Sequence, residues 1–272
     1  MYFTEEETVA LIRYQDNDYK VINSLLRRGY ESERTLNMRK GEGYPYLSRE
    51  DVDGYLSCIG LIYSAILRTY QTNGCMFPNK TVYRGTQTDI IESMDGEECS
   101  FLSTTTSLSQ TRCFSAVYTD NGLDSSRRAV AIVDSDVPWI NIDEIMGGME
   151  EEIIFVPAKV KVEPIVTDMN PLRGKTYRMT LTELDIPEKS PEEISEMRTS
   201  ILDQTDAMSG YLKIILEAEK DPSLRDTPHL KFATQEYNKW KDLVVSYNHQ
   251  QYRVLRNQII NGVEDKKNIS SK

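Results

Sequence analysis

Hydrophobic positions along the chain change their period twice. From Thr4 onward, Val9, Leu11 and Ile12, and then Ile22, Leu25 and Leu26, recur at helical spacings. Thr4 with Glu7 three residues later forms a capping-box pattern and predicts a helix start. A second helix is predicted from near Ser48, with Asp51 at the third position after it. It carries Tyr55, Ile59, Ile62, Tyr63, Ile66 and Leu67 toward a core and ends by Asn73-Gly74. From about Thr81 the runs "KTVYRGT", "ECSFLSTTTS", "RRAVAIVDSD", "EEIIFVPAKVKVEPIV" and "KTYRMTLTELD" are short and rich in β-branched and aromatic residues. Gly, Pro, Asp and Asn bound them, which predicts strands and turns, with one helix around "SQTRCFSAVYT".

After Asp185 the helical period returns. Ser190-Pro191-Glu192-Glu193 supplies an N-cap Ser, Pro at the first helical position and Glu at the third. A helix follows to about Glu219, "KDPSLRDTP" links, and a last helix runs from about His229 to Ile260. Its apolar residues Leu230, Phe232, Tyr237, Trp240, Leu243, Val244, Tyr247 and Leu255 mostly fit one face. Helices, strands, then helices predict an α+β domain with a helical C-terminal extension, over residues 1–186 and 187–272.

Composition narrows the function classes. A length of 272 residues is enough for a sizeable core, and 39% apolar with 28% charged residues is an ordinary globular balance. A net charge of -11 disfavours a nucleic-acid or anionic-membrane surface and leaves room for a small basic pocket. Cys58, Cys75, Cys99 and Cys113 form no CxxC pair, and His229 and His249 lie far from them in sequence. Neither a zinc site nor a disulfide framework is expected, and no metal is called for. The N-terminal "MYFTEEETVALIRY" lacks the basic and apolar regions of a Sec signal. No apolar run reaches the ~20 residues of a membrane span. The expectation is a cytoplasmic protein, or one secreted without a Sec signal and delivered to a host cytosol.

Three short stretches carry candidate chemistry. Glu150, Glu151 and Glu152 stand side by side ahead of Ile153-Ile154-Phe155-Val156. If this stretch is extended, Glu150 and Glu152 share a face with Cα atoms ~6.5–7 Å apart, while Glu151 faces away. Arg84 in "TVYRG" lies in or at the end of an apolar strand, where it needs an anionic partner, either protein or phosphate. Ser103, Thr104 and Thr105 follow the apolar pair Phe101-Leu102 and could orient a carboxylate or bond the backbone of a bent strand. Taken singly, these are more simply a solvated turn, a salt bridge and a polar strand end.

In order, however, they read strand-Arg, strand-Ser-Thr-Thr and Glu-x-Glu-strand. This arrangement resembles the mono-ADP-ribosyltransferases of the R–S–E class, in the branch of the clostridial actin-modifying exoenzymes and bacterial effector ADP-ribosyltransferases. The similarity extends to "IRYQDNDYKVINSLLRRG", "FPNKTVYRG", "FLSTTTSLSQTRCFSAV" and "DVPWINIDEIMGGMEEEIIFVPAKVKVEPI". It covers roughly Thr4 to Leu184 and leaves out the C-terminal helices.

The resemblance implies an ADP-ribosyltransferase fold with a two-sheet β core, and NAD as co-substrate. It implies that Arg84 contacts the NAD phosphates, that the Gly85 backbone faces the nicotinamide amide and that Ser103 holds Glu152. Glu152 would bond the nicotinamide-ribose 2′-hydroxyl and stabilise the oxocarbenium-like state. Thr104 and Thr105 belong to the same motif, Phe114 would stack near the nicotinamide, and Tyr14, Tyr19 and Asn23 would line the cofactor pocket. Glu150 would orient and deprotonate an acceptor guanidinium, since Glu at that place goes with arginine acceptors and Gln with others. The partner implied is a host or target protein with an exposed arginine.

Two departures stand out. Thr105 replaces the family's usual Ser, and the phosphate-binding Arg after the hydroxyl motif has only Arg112, Arg127 and Arg128 as candidates. Two other readings use the same residues. An NAD glycohydrolase would pass ADP-ribose to water and would have no need of Glu150. An inactive binding module would be expected to have lost Arg84 or Glu152. Residues 187–272 are a candidate partner surface, with Tyr237, Trp240, Tyr247 and Tyr252 as the residues to watch.

Overall fold

The computed structural model describes residues 3–28, 47–73, 80–98, 100–115, 118–119, 122–123, 127–143, 147, 151–166 and 174–262. The chain forms two compact units. Unit 1 comprises residues 65–185, and unit 2 joins residues 2–64 to residues 186–272.

Unit 1 is built on strands β1 (Val82–Gln87), β2 (Gly96–Glu98), β3 (Leu102–Thr105), β4 (Tyr118–Thr119), β5 (Gly122–Leu123), β6 (Arg128–Ser135), β7 (Trp139–Asn141), β8 (Glu152–Phe155), β9 (Ala158–Pro164) and β10 (Lys175–Thr182). Eight of them form one sheet in the order β2-β9-β10-β6-β1-β3-β8-β7, and β4 and β5 form a separate two-stranded ladder. All pairs are antiparallel except β6–β10. The expected two-sheet core is thus one continuous ladder with a narrow joint. β1 meets β3 at a single register pair, Tyr83 with Thr105. Past Thr105 the chain turns, with the Thr105 hydroxyl accepting the Ser107 N–H at 2.9 Å, which ends the pairing on that side.

The central strands are buried on both faces, with Ala129, Val130 and Ala131 of β6 and Ile153, Ile154 and Phe155 of β8 all in the core. They therefore read as continuous apolar runs rather than alternating ones. The single run "EEIIFVPAKVKVEPIV" becomes two strands, because Val156-Pro157 separates β8 from β9. The helix expected around "SQTRCFSAVYT" is only Thr111–Phe114, and Tyr118–Thr119 is already strand.

Unit 2 is helical. It holds α1 (Glu5–Arg13), a π turn (Tyr14–Asp18), α2 (Tyr19–Leu26) and the first part of α3 (Arg49–Asn73). In unit 1 two short helices, α4 (Thr88–Ser93) and α5 (Thr111–Phe114), interrupt the strands. Unit 2 is completed by α6 (Pro191–Lys220) and α7 (Pro228–Arg256). The chain re-enters this unit at Ile186.

The caps are those the sequence predicts. Thr4 Oγ1 accepts from the Glu7 amide at 3.1 Å, and Glu7 Oε2 accepts from the Thr4 amide at 2.9 Å. Ser190 and Glu193 repeat the motif at the start of α6, with Pro191 in the first turn. Glu7 is also buried, and its other oxygen accepts the Ser64 hydroxyl at 2.6 Å.

Several long-range bonds hold the helices of unit 2 together. Arg198 on α6 donates to Asp53 at 2.7 Å, to Ser57 at 3.0 Å and to the Tyr247 hydroxyl at 2.8 Å. Trp240 Nε1 donates to the Ile201 carbonyl at 3.1 Å. Tyr237, Trp240, Tyr247 and Tyr252 are only 3–5% exposed, so these aromatics are core and not an open surface. Burial pushes the Cys58 thiol up to about 11, which keeps it protonated and unreactive near neutral pH. No helix among the described residues is long and apolar enough to cross a membrane, and none of their His, Cys, Asp and Glu side chains form a group that could hold a metal ion.

Candidate active site

Arg84, Ser103 and Glu152 lie on β1, β3 and β8, which are successive neighbours in the sheet. The antiparallel register sets Ser103 opposite Ile154 and Thr105 opposite Glu152. Ser103 is therefore diagonal to Glu152 on the same face, within reach of a short side chain. Its hydroxyl donates to Glu152 Oε1. Arg84 Nη1 donates to the Ser103 carbonyl at 2.8 Å, so this second link from β1 to β3 is a side chain. The three residues form one hydrogen-bonded chain, from guanidinium to backbone carbonyl and from hydroxyl to carboxylate. All three are half-buried.

A fourth residue braces this chain from the turn before β8. Asp143 Oδ2 accepts the Glu152 backbone N–H at 3.3 Å. Glu152 is thus held at both its main chain and its side chain. Nothing in the sequence marks Asp143, an ordinary acid nine positions upstream with no motif around it.

The hydroxyl run divides its labour. Thr104 is buried, and its hydroxyl donates to the Ile153 carbonyl at 2.8 Å, fastening β3 to β8. Thr105, also buried, shapes the turn through Ser107. Both alternatives read from the sequence occur. Ser103 orients a carboxylate, while Thr104 and Thr105 bond backbone. Thr105 needs only an acceptor oxygen for its bond, so a Thr there serves as well as a Ser.

Glu151 is not extended. Strand β8 begins at Glu152, and Glu151 has φ 50°, in the left-handed region. The period-two reading of Glu150 with Glu152 concerns a residue, Glu150, that lies outside the described residues. Glu151 is engaged, not idle. Its carboxylate accepts the Thr106 hydroxyl and stands 3.6 Å from Lys80 Nζ, and its carbonyl accepts the Thr106 amide at 3.2 Å. The Thr106 bond is the main reason its carboxyl lies below the usual range, with Lys80 adding to the effect.

Gly85 is required by close approach. A Cβ there would fall 2.3 Å from the Thr111 carbonyl oxygen, so β1 and α5 touch backbone to backbone. Phe114, at the end of α5, is 51% exposed. Arg112 on the same helix is exposed, whereas Arg127 is committed to Asp89 at 3.0 Å and Gln87 at 3.3 Å.

Tyr14, Tyr19 and Asn23 belong to unit 2 and come together there. Nine residues are about two and a half turns of α-helix, which would put Tyr14 and Asn23 on opposite faces. The π turn, closed by the Tyr19 amide on the Tyr14 carbonyl, takes up an extra residue and narrows that offset. Asn23 Nδ2 then donates to the Tyr14 hydroxyl at 3.2 Å, and the Tyr14 and Tyr19 rings lie 6.2 Å apart. Tyr14 is buried and Tyr19 is exposed.

No model of a known family matches this chain, and no curated protein is similar to it. Several solved structures are similar, two of them as follows. One is the ADP-ribosyltransferase Vis in complex with M6 inhibitor, at 17% identity and TM-score 0.43, covering 70% of this chain and 78% of that one. The other is BECa, an ADP-ribosylating toxin of a binary enterotoxin of C. perfringens, with NADH. It is similar at 15% identity and TM-score 0.38, covering 66% of this chain and 44% of its own.

Proposed function

We propose that the protein is a mono-ADP-ribosyltransferase that transfers ADP-ribose from NAD to an arginine of a target protein and releases nicotinamide. The observation that carries this reading is the bonded chain Arg84–Ser103–Glu152 across three adjacent strands. The donor set suits a dinucleotide. A guanidinium matches diphosphate oxygens, a fixed carboxylate matches a ribose hydroxyl, and the half-exposed ring of Phe114 offers a stacking face.

NAD supplies an ADP-ribosyl group whose bond to nicotinamide breaks with the electron pair leaving on nicotinamide, while the acceptor nitrogen bonds the same ribose carbon. Positive charge grows on the sugar as that bond breaks. A carboxylate already oriented by Ser103 and Asp143 opposes that charge without having to reorganise. An acceptor guanidinium is a poor nucleophile until a carboxylate orients it and takes a proton, the role assigned to Glu150. Arg84 would neutralise phosphate.

The test uses a cell lysate with labelled NAD. Wild type should label a discrete protein band, and Glu150→Gln should lose the label while still releasing nicotinamide. If both proteins release free ADP-ribose equally and label nothing, water is the acceptor and the protein is a glycohydrolase. If wild type consumes no NAD, the proposal fails.

A further inference from the structure

We infer that Thr106 and Glu151 are positioning residues for the Glu152 carboxylate; this inference rests on the transferase reading above. The resemblance gives neither residue a role. Thr106 lies just past the Ser-Thr-Thr motif, and Glu151 is the middle member of the glutamate run. The structure joins them by two bonds. The Thr106 amide donates to the Glu151 carbonyl at 3.2 Å, and the Thr106 hydroxyl donates to the Glu151 carboxylate.

These bonds act on the peptide group from which Glu152 starts. The Glu151 carbonyl and the Glu152 amide belong to one planar unit. Its oxygen is held by the Thr106 amide, and its N–H by Asp143 Oδ2 at 3.3 Å. The first ladder pair of β8, Glu152 with Thr105, follows at once. The backbone of Glu152 is therefore fixed on both sides before Ser103 bonds its side chain.

The conformation of Glu151 argues that this hold is more than an ordinary turn. Its φ of 50° lies in a region that Gly adopts freely and that a residue with a longer side chain rarely does. Such a conformation persists where the surroundings over-determine it. A glutamate there brings a carboxylate that reaches back to Thr106, with Lys80 Nζ 3.6 Å away. Three hydroxyls from one end of β3 thus bond three successive residues at the entrance of β8. Ser103 bonds the Glu152 carboxylate, Thr104 the Ile153 carbonyl and Thr106 the Glu151 carboxylate. The working hydroxyl run is one residue longer than the motif, and its last member acts on Glu152 through Glu151.

The test measures steady-state nicotinamide release from NAD by the full chain. It compares wild type, Thr106→Val, Thr106→Ser, Glu151→Ala and the double variant Thr106→Val with Glu151→Ala. Thr106→Val keeps the shape and loses the hydroxyl. It should lower kcat about tenfold with KM for NAD within about twofold, and Thr106→Ser should restore most of the loss. Glu151→Ala should match Thr106→Val, and the double variant should be within about twofold of either single one, because both remove one contact. If Thr106→Val does not fold, Thr106→Ala takes its place. Losses that multiply to about a hundredfold in the double variant overturn the inference, as does a raised KM with kcat unchanged. Wild-type kcat in Thr106→Val and Glu151→Ala also overturns it and leaves the transferase reading standing. A wild type that consumes no NAD overturns the reading and this role with it.

Discussion

Under the proposed function, Glu152→Gln should lower NAD consumption by about 10²–10⁴-fold and leave the fold intact. Glutamine keeps the size of the side chain and an oxygen that can accept the Ser103 hydroxyl, so the β3–β8 connection survives. What is lost is the negative charge, placed where positive charge is proposed to develop. The side chain is half-buried and not part of the apolar core, so thermal unfolding should move by no more than about 2 °C. Ser103→Ala is the graded companion. It retains the charge but frees the carboxylate, and its loss should be nearer tenfold. Initial rates of nicotinamide release beside a melting curve decide the matter. Near-wild-type release by Glu152→Gln would falsify the assigned role of this carboxylate.

Gly85→Ala should destabilise the sheet strongly for a single added methyl. The new carbon would sit 2.3 Å from Thr111 O, 2.8 Å from Thr111 Cα and 2.9 Å from its carbonyl carbon. All three are backbone atoms, so no rotamer change relieves the overlap, and α5 or β1 must move. Overpacking of this kind costs about 1–3 kcal/mol. Because Arg84 is the next residue, displacement of β1 also misplaces its guanidinium relative to Ser103. Urea unfolding should show a lower midpoint, and activity should fall with it. A midpoint equal to wild type would mean that α5 yields freely and that the contact is not a fixed one.

What could be read from the sequence follows the range of each interaction. Thr4 with Glu7, and Ser190 with Pro191 and Glu193, act within four residues, and their caps form as expected. The strand runs are visible because β-branched clusters bounded by turn residues carry their own signal. Arg84, Ser103 and Glu152 were legible as candidates only through their order along the chain, and the register of β3 on β8 is what joins two of them.

The rest depends on partners that periodicity does not name. Glu151 reads as one more strand residue, but its bonds to Thr106 hold it at positive φ. The π turn has no sequence signature that separates it from ordinary helix, and it is what pairs Tyr14 with Asn23. Lys241 in a helix reads as a solvated charge until the helix lies against α2. The apolar faces of α1, α2, α6 and α7 show that each must be buried, not against which neighbour.

Unit 2 is assembled from the two ends of the chain, and this sets an order of events during synthesis. The Lys241 ammonium on α7 donates to the Ser24 carbonyl on α2 across 217 residues. At ~5–20 residues per second, α2 emerges ~10–40 s before the residue that caps it. Over that interval the sheet of unit 1 can complete itself, while Ile22, Leu25 and Leu26 of α2 lack the α7 helix against which α2 packs. The nascent chain thus passes through a stage with a finished sheet and an open apolar helix face, the kind of surface that chaperones bind and aggregates grow from. A chain terminated after Asp185 freezes that stage. It should sediment as aggregate or bind a hydrophobic dye, where the full chain stays monodisperse and dark.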